Sequence, residues 1–326
     1  MKVITLEEHF APMAVPGLNL PKGLPPLEQG TSLGAAWLAD PSTAAEIGAK
    51  RIAHMDEDGV TVQVVSTPFA QNLSADVAVD YCVKINNFLA EKIAEYPDRL
   101  VGFAALPTAV PEACAAELER CVKELGFRGT LIGNRVNGGF LTAPEFEPLL
   151  AKAEELDVPI YLHPGEPPQE VADTCYSAGF SPAVVSCLKR YGYGWHVDSG
   201  IHMLNMIVAG VFDRHPNLQM ILGHWGELLP YYIDRFDGAM PAAFLGLKHE
   251  ISYYLQNNMY VTPSGVWTPE CLEFCVKRLG AERIMFSIDY PFVSAEGQEK
   301  ILEHPMLTQE ERELIAHGNA ERLLKI

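Results

Sequence analysis

Near its N-terminus the chain reads LEEHF (residues 6–10), so two carboxylates and an imidazole follow directly on an apolar stretch. Charged side chains are poor strand material, so Glu7, Glu8 and His9 mark either an exposed turn or a place where chemistry is done. Similar residues close other apolar runs: His163 ends VPIYLH, His224 ends LQMILGH and Asp289 ends RIMFSID. Strand side chains alternate with period two, so Glu7 and His9 point one way and Glu8 the other. Together Glu7, His9, His163 and Asp289 make a mixed nitrogen and oxygen donor set suited to a divalent ion such as Zn2+ or Mn2+. Each residue alone has a plainer reading. HWGE (224–227) reads as a helix start with Glu227 capping it, and SIDYP (287–291) as a turn before Pro291. Chance placement does not account for four separate apolar runs ending in metal-competent or acid–base side chains. His54, His196, His202, His215, His249, His304 and His317 fall in helical or loop stretches and read as structural.

Such convergence needs a frame. Eight short runs rich in Val, Ile and Leu, at 2–6, 60–67, 100–106, 129–133, 158–163, 218–224, 258–263 and 283–289, alternate with helical patterns. The helical stretches include 43–59, 76–96 and 112–126. Continuous apolar strands alternating with helices predict a parallel sheet covered on its outside, and eight units predict a closed (β/α)8 barrel, class α/β. Function then sits at the C-terminal ends of the strands. One domain over residues 1–326 is expected, with long loops after strand 1 (11–43) and strand 5 (164–197) as pocket walls or lids. The chain carries neither a GxGxxG turn after strand 1 nor a GxxxxGK[ST] loop, so nucleotide-binding readings lack support.

Composition narrows the partners. With 48% hydrophobic and 20% charged residues, the 326-residue chain has the makings of a large buried core. A formal net charge of −18 argues against nucleic acid and anionic membranes, and makes an acidic substrate depend on a local cation. No apolar run approaches the roughly 18 residues needed to span a bilayer, and the N-terminus lacks a signal-peptide plan. The seven cysteines are scattered without a CxxC, as expected of reduced thiols in a cytoplasmic protein. Cys271 and Cys275 lie one helical turn apart and read as packed helix residues rather than metal ligands.

Five segments carry a resemblance: LEEHF (6–10), RLVGFAALP (99–107), LDVPIYLHP (156–164), GVFDRHPNLQMILGHWGELLPYYIDR (210–235) and ERIMFSIDYPF (282–292). Together they resemble the amidohydrolase superfamily. Within it they are most similar to the non-hydrolytic branch of aminocarboxymuconate-semialdehyde decarboxylase and the γ-resorcylate (dihydroxybenzoate) decarboxylases. The resemblance implies Glu7, His9, His163 and Asp289 as metal-site residues and His224, oriented by Glu227, as a proton-shuttling or substrate-contacting histidine. It also implies Arg235 as a substrate contact. The ExH form of the first strand is that of the hydroxybenzoate decarboxylases, and GTLIGN (129–134) has no Lys to bridge two metals, which argues for one ion per chain. After His163 the chain reads PGEPP, without the Arg-Asn common in that branch, so pocket shape and preferred substrate are not implied.

The activity this implies is non-oxidative decarboxylation of a hydroxylated aromatic acid, with one divalent ion and no organic cofactor. Asp289 would protonate the carbon that loses CO2, and His224 with Glu227 would manage the phenolic proton. The alternative within the same superfamily is a metal-dependent hydrolase or hydratase acting on an amide, ester or lactone. A barrel that binds a ligand without catalysis is the reading from another class. The resemblance further implies a homodimer or homotetramer.

Overall fold

A computed structural model describes residues 1–18, 42–70, 73–133, 135 and 138–326. Strands β1 (Ile4–His9), β2 (Val62–Ser66) and β3 (Leu100–Gly102) pair in parallel, as do β4 (Thr130–Gly133), β5 (Ile160–His163), β6 (Met220–Leu222) and β7 (Met259–Val261). Single bridges join the two groups into a ring. Ala104 pairs with Thr130, Val261 with Ile284, and Phe286 with Thr5. The eighth strand is therefore present only as the segment 284–286, tied by Met285 N donating to Val261 O and Leu6 N to Phe286 O, both at 3.0 Å. The ring is the expected (β/α)8 barrel.

Strand side chains divide between two cores. Ile4, Leu6, Val62, Val64, Phe103, Leu131, Tyr161, Ile221, Tyr260 and Met285 fill the interior. Their alternating neighbours, among them Val65, Ile132, Ile160, Leu162, Met220, Leu222 and Phe286, pack against the surrounding helices. Filling the barrel with branched and aromatic side chains leaves only its rim free for polar ones.

Most strands are shorter than expected, because the ladder uses only part of each apolar run. The run 100–106 contributes just Leu100–Gly102. β1 departs the other way and continues through His9, because Glu8 and His9 still pair with Val65 and Ser66 of β2. The helical pattern at 43–59 splits into Ser42–Ala45 and Ala49–Glu57 around Gly48, a poor helix former. There the Glu46 carboxylate accepts from Arg51 N at 2.7 Å, satisfying an amide of the new first turn. The expected loop at 164–197 instead holds helices Gln169–Cys175 and Pro182–Lys189 and the start of Gly194–Val208. Most of the expected loop at 11–43 lies outside the described residues. Its start forms a short turn at Pro12–Ala14.

All seven cysteines are free. Cys275 is buried, and Cys271 accepts a hydrogen bond from Tyr231 Oη at 3.2 Å, consistent with packing roles. Among the described residues no helix is long and apolar enough to cross a membrane.

Candidate metal centre and acid–base site

Strand alternation alone would aim the wrong glutamate. Ile4 and Leu6 face the barrel interior, so an unbroken β1 would place Glu8 inside with them. The register prevents this. Thr5 pairs with Gln63, but Glu8 pairs with Val65, so β1 spends three steps where β2 spends two. The extra residue is a bulge in which Glu7 takes φ 63°. Beyond it the phase is reversed. Glu7 and His9 now turn inward, as the sequence reading expected of the pair, and Glu8 turns outward.

Glu7 is fully buried, and Oε2 accepts hydrogen bonds from both Tyr161 Oη and Ser264 Oγ. The close fit accounts for a glycine: a Cβ on Gly223 would lie 2.7 Å from Glu7 Oε2 and 2.9 Å from Ser264 Oγ. The other oxygen, Oε1, has no hydrogen-bond partner among the described residues and lies 3.7 Å from His163 Nε2. His163 Nδ1 is 2.8 Å from the carbonyl of Pro164, which can only accept, so Nδ1 carries the hydrogen and Nε2 presents its lone pair. His9 Nδ1 meets Ser66 Oγ at 3.3 Å, while His9 Nε2 is buried without a hydrogen-bond partner among the described residues, 3.3 Å from Asp289 Oδ1. The ligand atoms of Glu7, His9 and His163 lie within 4.8 Å of one another. Asp289 reaches the same place from the end of the eighth strand, with φ 72°.

Burial sets the protonation here. It pushes His9 down to about 4 and His163 well below its usual value, keeping both imidazoles neutral and able to ligate. Burial also raises Glu7, and lifts Asp289 to about 7 against the opposing fields of His224 and His196. A buried carboxylate oxygen and an imidazole lone pair left unbonded side by side are costly unless a cation completes them. The residues present fit a divalent ion.

A second group adjoins the first. HWGE forms a one-turn segment, His224–Glu227, but Trp225 and Gly226 have left-handed backbones and Glu227 does not cap it. Instead Glu227 Oε1 accepts from His224 Nδ1 and Oε2 from His196 Nδ1, each at 2.9 Å. Burial alone would depress His224, but the charges of Glu227 and Glu7 push it up to about 10. Burial would likewise raise Glu227, and the two imidazoles outweigh it and lower it. His196, read from sequence as structural, thus belongs to the site. Its ring stands 4.4 Å from that of His224. Only its place in WHVD, on a helix that packs beside 224–227, could have signalled this, and sequence periodicity does not report such packing.

Backbone strain collects at the same rim. Nine non-glycine residues among those described have positive φ, and all but Asp157 and Lys325 belong to or adjoin these two groups: Glu7, His224, Trp225, Glu227, Leu228, Ser264 and Asp289. Each such conformation costs about 1–3 kcal/mol, and strain of this kind persists where the surroundings impose it, commonly at functional sites. Arg235 stands apart. It is exposed on helix Ile233–Ala239, with no hydrogen bond or ion pair among the described residues, while neighbouring Asp234 pairs with Arg278.

The amidohydrolase family model matches residues 35–326. This chain belongs to the amidohydrolase family. It is 39% identical to the decarboxylase orsB of Emericella nidulans, over 99% of this chain and 97% of that one. It is 33% identical to the gamma-resorcylate decarboxylase of Rhodococcus jostii, over 99% of this chain and 98% of that one. A dihydroxybenzoic acid decarboxylase from a Polaromonas species, solved with bound manganese and the inhibitor 2-nitroresorcinol, superposes with a TM-score of 0.82. It shares 31% identity over 99% of this chain and 97% of that one. The branch expected from the sequence is the one these relatives occupy.

Proposed function

We propose that the protein is a metal-dependent, non-oxidative decarboxylase of a hydroxylated aromatic acid. The observation that carries the reading is the pair of buried, unbonded atoms, Glu7 Oε1 and His9 Nε2, beside His163 and Asp289. Glu7, His9, His163 and Asp289 would hold one divalent ion. Bound there, the ion supplies positive charge that favours an ionised carboxylate and ortho phenol. Manganese is the first choice, as in the Polaromonas relative, with zinc the alternative that metal analysis separates.

The remaining chemistry belongs to the side chains. Loss of CO2 from an aromatic ring would leave an aryl carbanion unless the ring carbon first gains a proton. Asp289 donates that proton. The new C–H bond forms, the C–C bond then breaks, and its electron pair restores the aromatic ring as CO2 departs. His224, held through Nδ1 by Glu227, exchanges the phenolic proton, and His196 fixes the far oxygen of Glu227. Arg235 is exposed and apart from these groups within the single chain; its role as a contact to an anionic or hydroxyl group of the substrate, a task suited to its planar fork, rests on the family resemblance. The reading extends to a homodimer or homotetramer in the cytoplasm, with no organic cofactor.

Manganese-loaded protein is to be assayed for CO2 release from a panel of ortho-hydroxybenzoates, with the active substrate then turned over in D2O. The expected phenol carries deuterium at the carbon that lost CO2. Turnover that places no deuterium on carbon would sink the decarboxylase and favour a hydrolase.

A further inference from the structure

Glu8 takes no part in the chemistry above, yet it is fully buried and stands between two residues that do. The bulge turns it away from the interior and toward the end of the eighth strand. There Oε1 accepts from Ile288 N at 2.9 Å and Oε2 accepts from Tyr290 N at 3.1 Å. These are the amides on either side of Asp289. Residue 289 is therefore held by one carboxylate bridging its two neighbours, while its own backbone sits at φ 72°, a conformation that a β-substituted residue rarely adopts unaided. The tie is returned in the other direction, since His9 N donates to Tyr290 O at 2.7 Å.

The other side of the clamp is also fixed. Arg51 is fully buried; its Nη2 donates to the carbonyl of His9, Nη1 to Gln63 Oε1 at 3.0 Å and Nε to Glu46 O at 3.1 Å. Its guanidinium lies 4.8 Å from the centre of the Tyr290 ring. The end of β1 is thus anchored to the helix Ala49–Glu57, and the end of the eighth strand is anchored to β1.

We infer that Glu8 is a positioning residue that aims Asp289 by bridging the amides of Ile288 and Tyr290. The inference rests on reading Asp289 as a working residue of the site. It accounts for the doubled glutamate of LEEHF: one carboxylate faces the site, and the other sets the strand end that supplies the site's aspartate. Both clamp bonds accept from N–H donors. An amide in place of the carboxylate would keep one of them and turn a donor toward the other.

The test is a double-mutant cycle on the full chain, stripped of metal and titrated with Mn2+ by calorimetry. Glu8→Gln is expected to weaken Mn2+ binding by at least about tenfold, as losses of residues behind metal ligands do. In an Asp289→Asn background the same change is expected to weaken it less than about twofold, because the residue it aims is gone. Equal losses in both backgrounds, or no loss in the first, would overturn the inference. A merely structural role would lower the melting temperature of both pairs alike without this coupling. Should Glu8→Gln not fold, Glu8→Asp carries the same cycle; it keeps the carboxyl group but is one methylene too short to reach both amides. If the unaltered protein binds no Mn2+, the proposed ion fails on its own, and hydrogen exchange of segment 286–292 decides the clamp. Faster exchange in the variant supports it, and unchanged exchange overturns it.

Discussion

Two regions of this molecule bury glutamate carboxylates among other titratable groups, and they treat them in opposite ways. Between helices Ala75–Glu95 and Pro111–Lys123, Glu117 accepts from Asn86 Nδ2 at 2.7 Å, from Arg120 Nε at 2.8 Å and Nη2 at 2.7 Å, and from Cys121 Sγ at 3.4 Å. Burial would raise this carboxyl, but its Arg120 and Asn86 partners bring it below its usual value. At the barrel mouth Glu7 is more deeply enclosed, with 0% of its surface exposed against 8% for Glu117; one of its oxygens has no hydrogen-bond partner among the described residues, and burial raises it. The Glu117 cluster is matched donor for acceptor. The Glu7 cluster is short of one cation. That shortfall, together with the deeper burial, separates a carboxylate kept for stability from one kept for chemistry.

The largest expected effect removes a proposed ligand from the unmatched cluster. His163→Ala should lose tight Mn2+ binding and nearly all turnover while circular dichroism stays native. Conversely, Mn2+ at one hundred times its dissociation constant should stabilise the unaltered protein by about 2.7 kcal/mol, and not the variant. Retention of stoichiometric metal by His163→Ala would break the assignment.

A smaller effect belongs to the support behind Glu7. Ser264→Ala removes one of the two hydroxyl donors to Oε2, and Mn2+ affinity should fall roughly 10–100-fold, as for other losses behind a ligand. Calorimetry checks this, and an unchanged affinity would mean that Tyr161 alone orients the carboxylate. Smaller still is Arg235→Lys, which should lower kcat/KM several-fold, because an ammonium cannot reproduce a two-pronged contact. Steady-state kinetics equal to those of the unaltered protein would return Arg235 to the ordinary surface.

The matched cluster supplies the control. Glu117→Gln should leave kcat and Mn2+ affinity within about twofold, yet cost about 1–3 kcal/mol of stability by breaking a buried charged network. The sign of its pH dependence is fixed by the lowered carboxyl. The folded protein prefers Glu117 ionised, so its contribution is present above the ordinary glutamate value of 4.5 and is lost as pH falls through the lower folded value. Denaturant melts of the two proteins should therefore converge in acid. A stability gap that widened below pH 4.5 would contradict the contrast drawn here.

Much of the site was legible in the residues themselves. Apolar runs alternating with helical ones dictate a wound parallel sheet, and the ends of those runs carry Glu7, His9, His163, His224 and Asp289. Residue type and strand order are local properties, so no coordinates were needed to read them. Three decisions were not local. Simple period two from Leu6 would have sent Glu8 inward, and only the register of β1 against β2 shows the bulge that turns Glu7 and His9 in instead. His196 looks like any helical histidine until the helix Gly194–Val208 packs against 224–227 and brings its ring to Glu227. The pairing of Glu8 with two amides some 280 positions away exists only once the eighth strand closes the ring beside the first. Sequence determined which chemistry the strand ends could offer, because that depends on side-chain type. Tertiary structure decided which side chains meet and which oxygens go unpaired, because register, packing and ring closure are relations between distant segments.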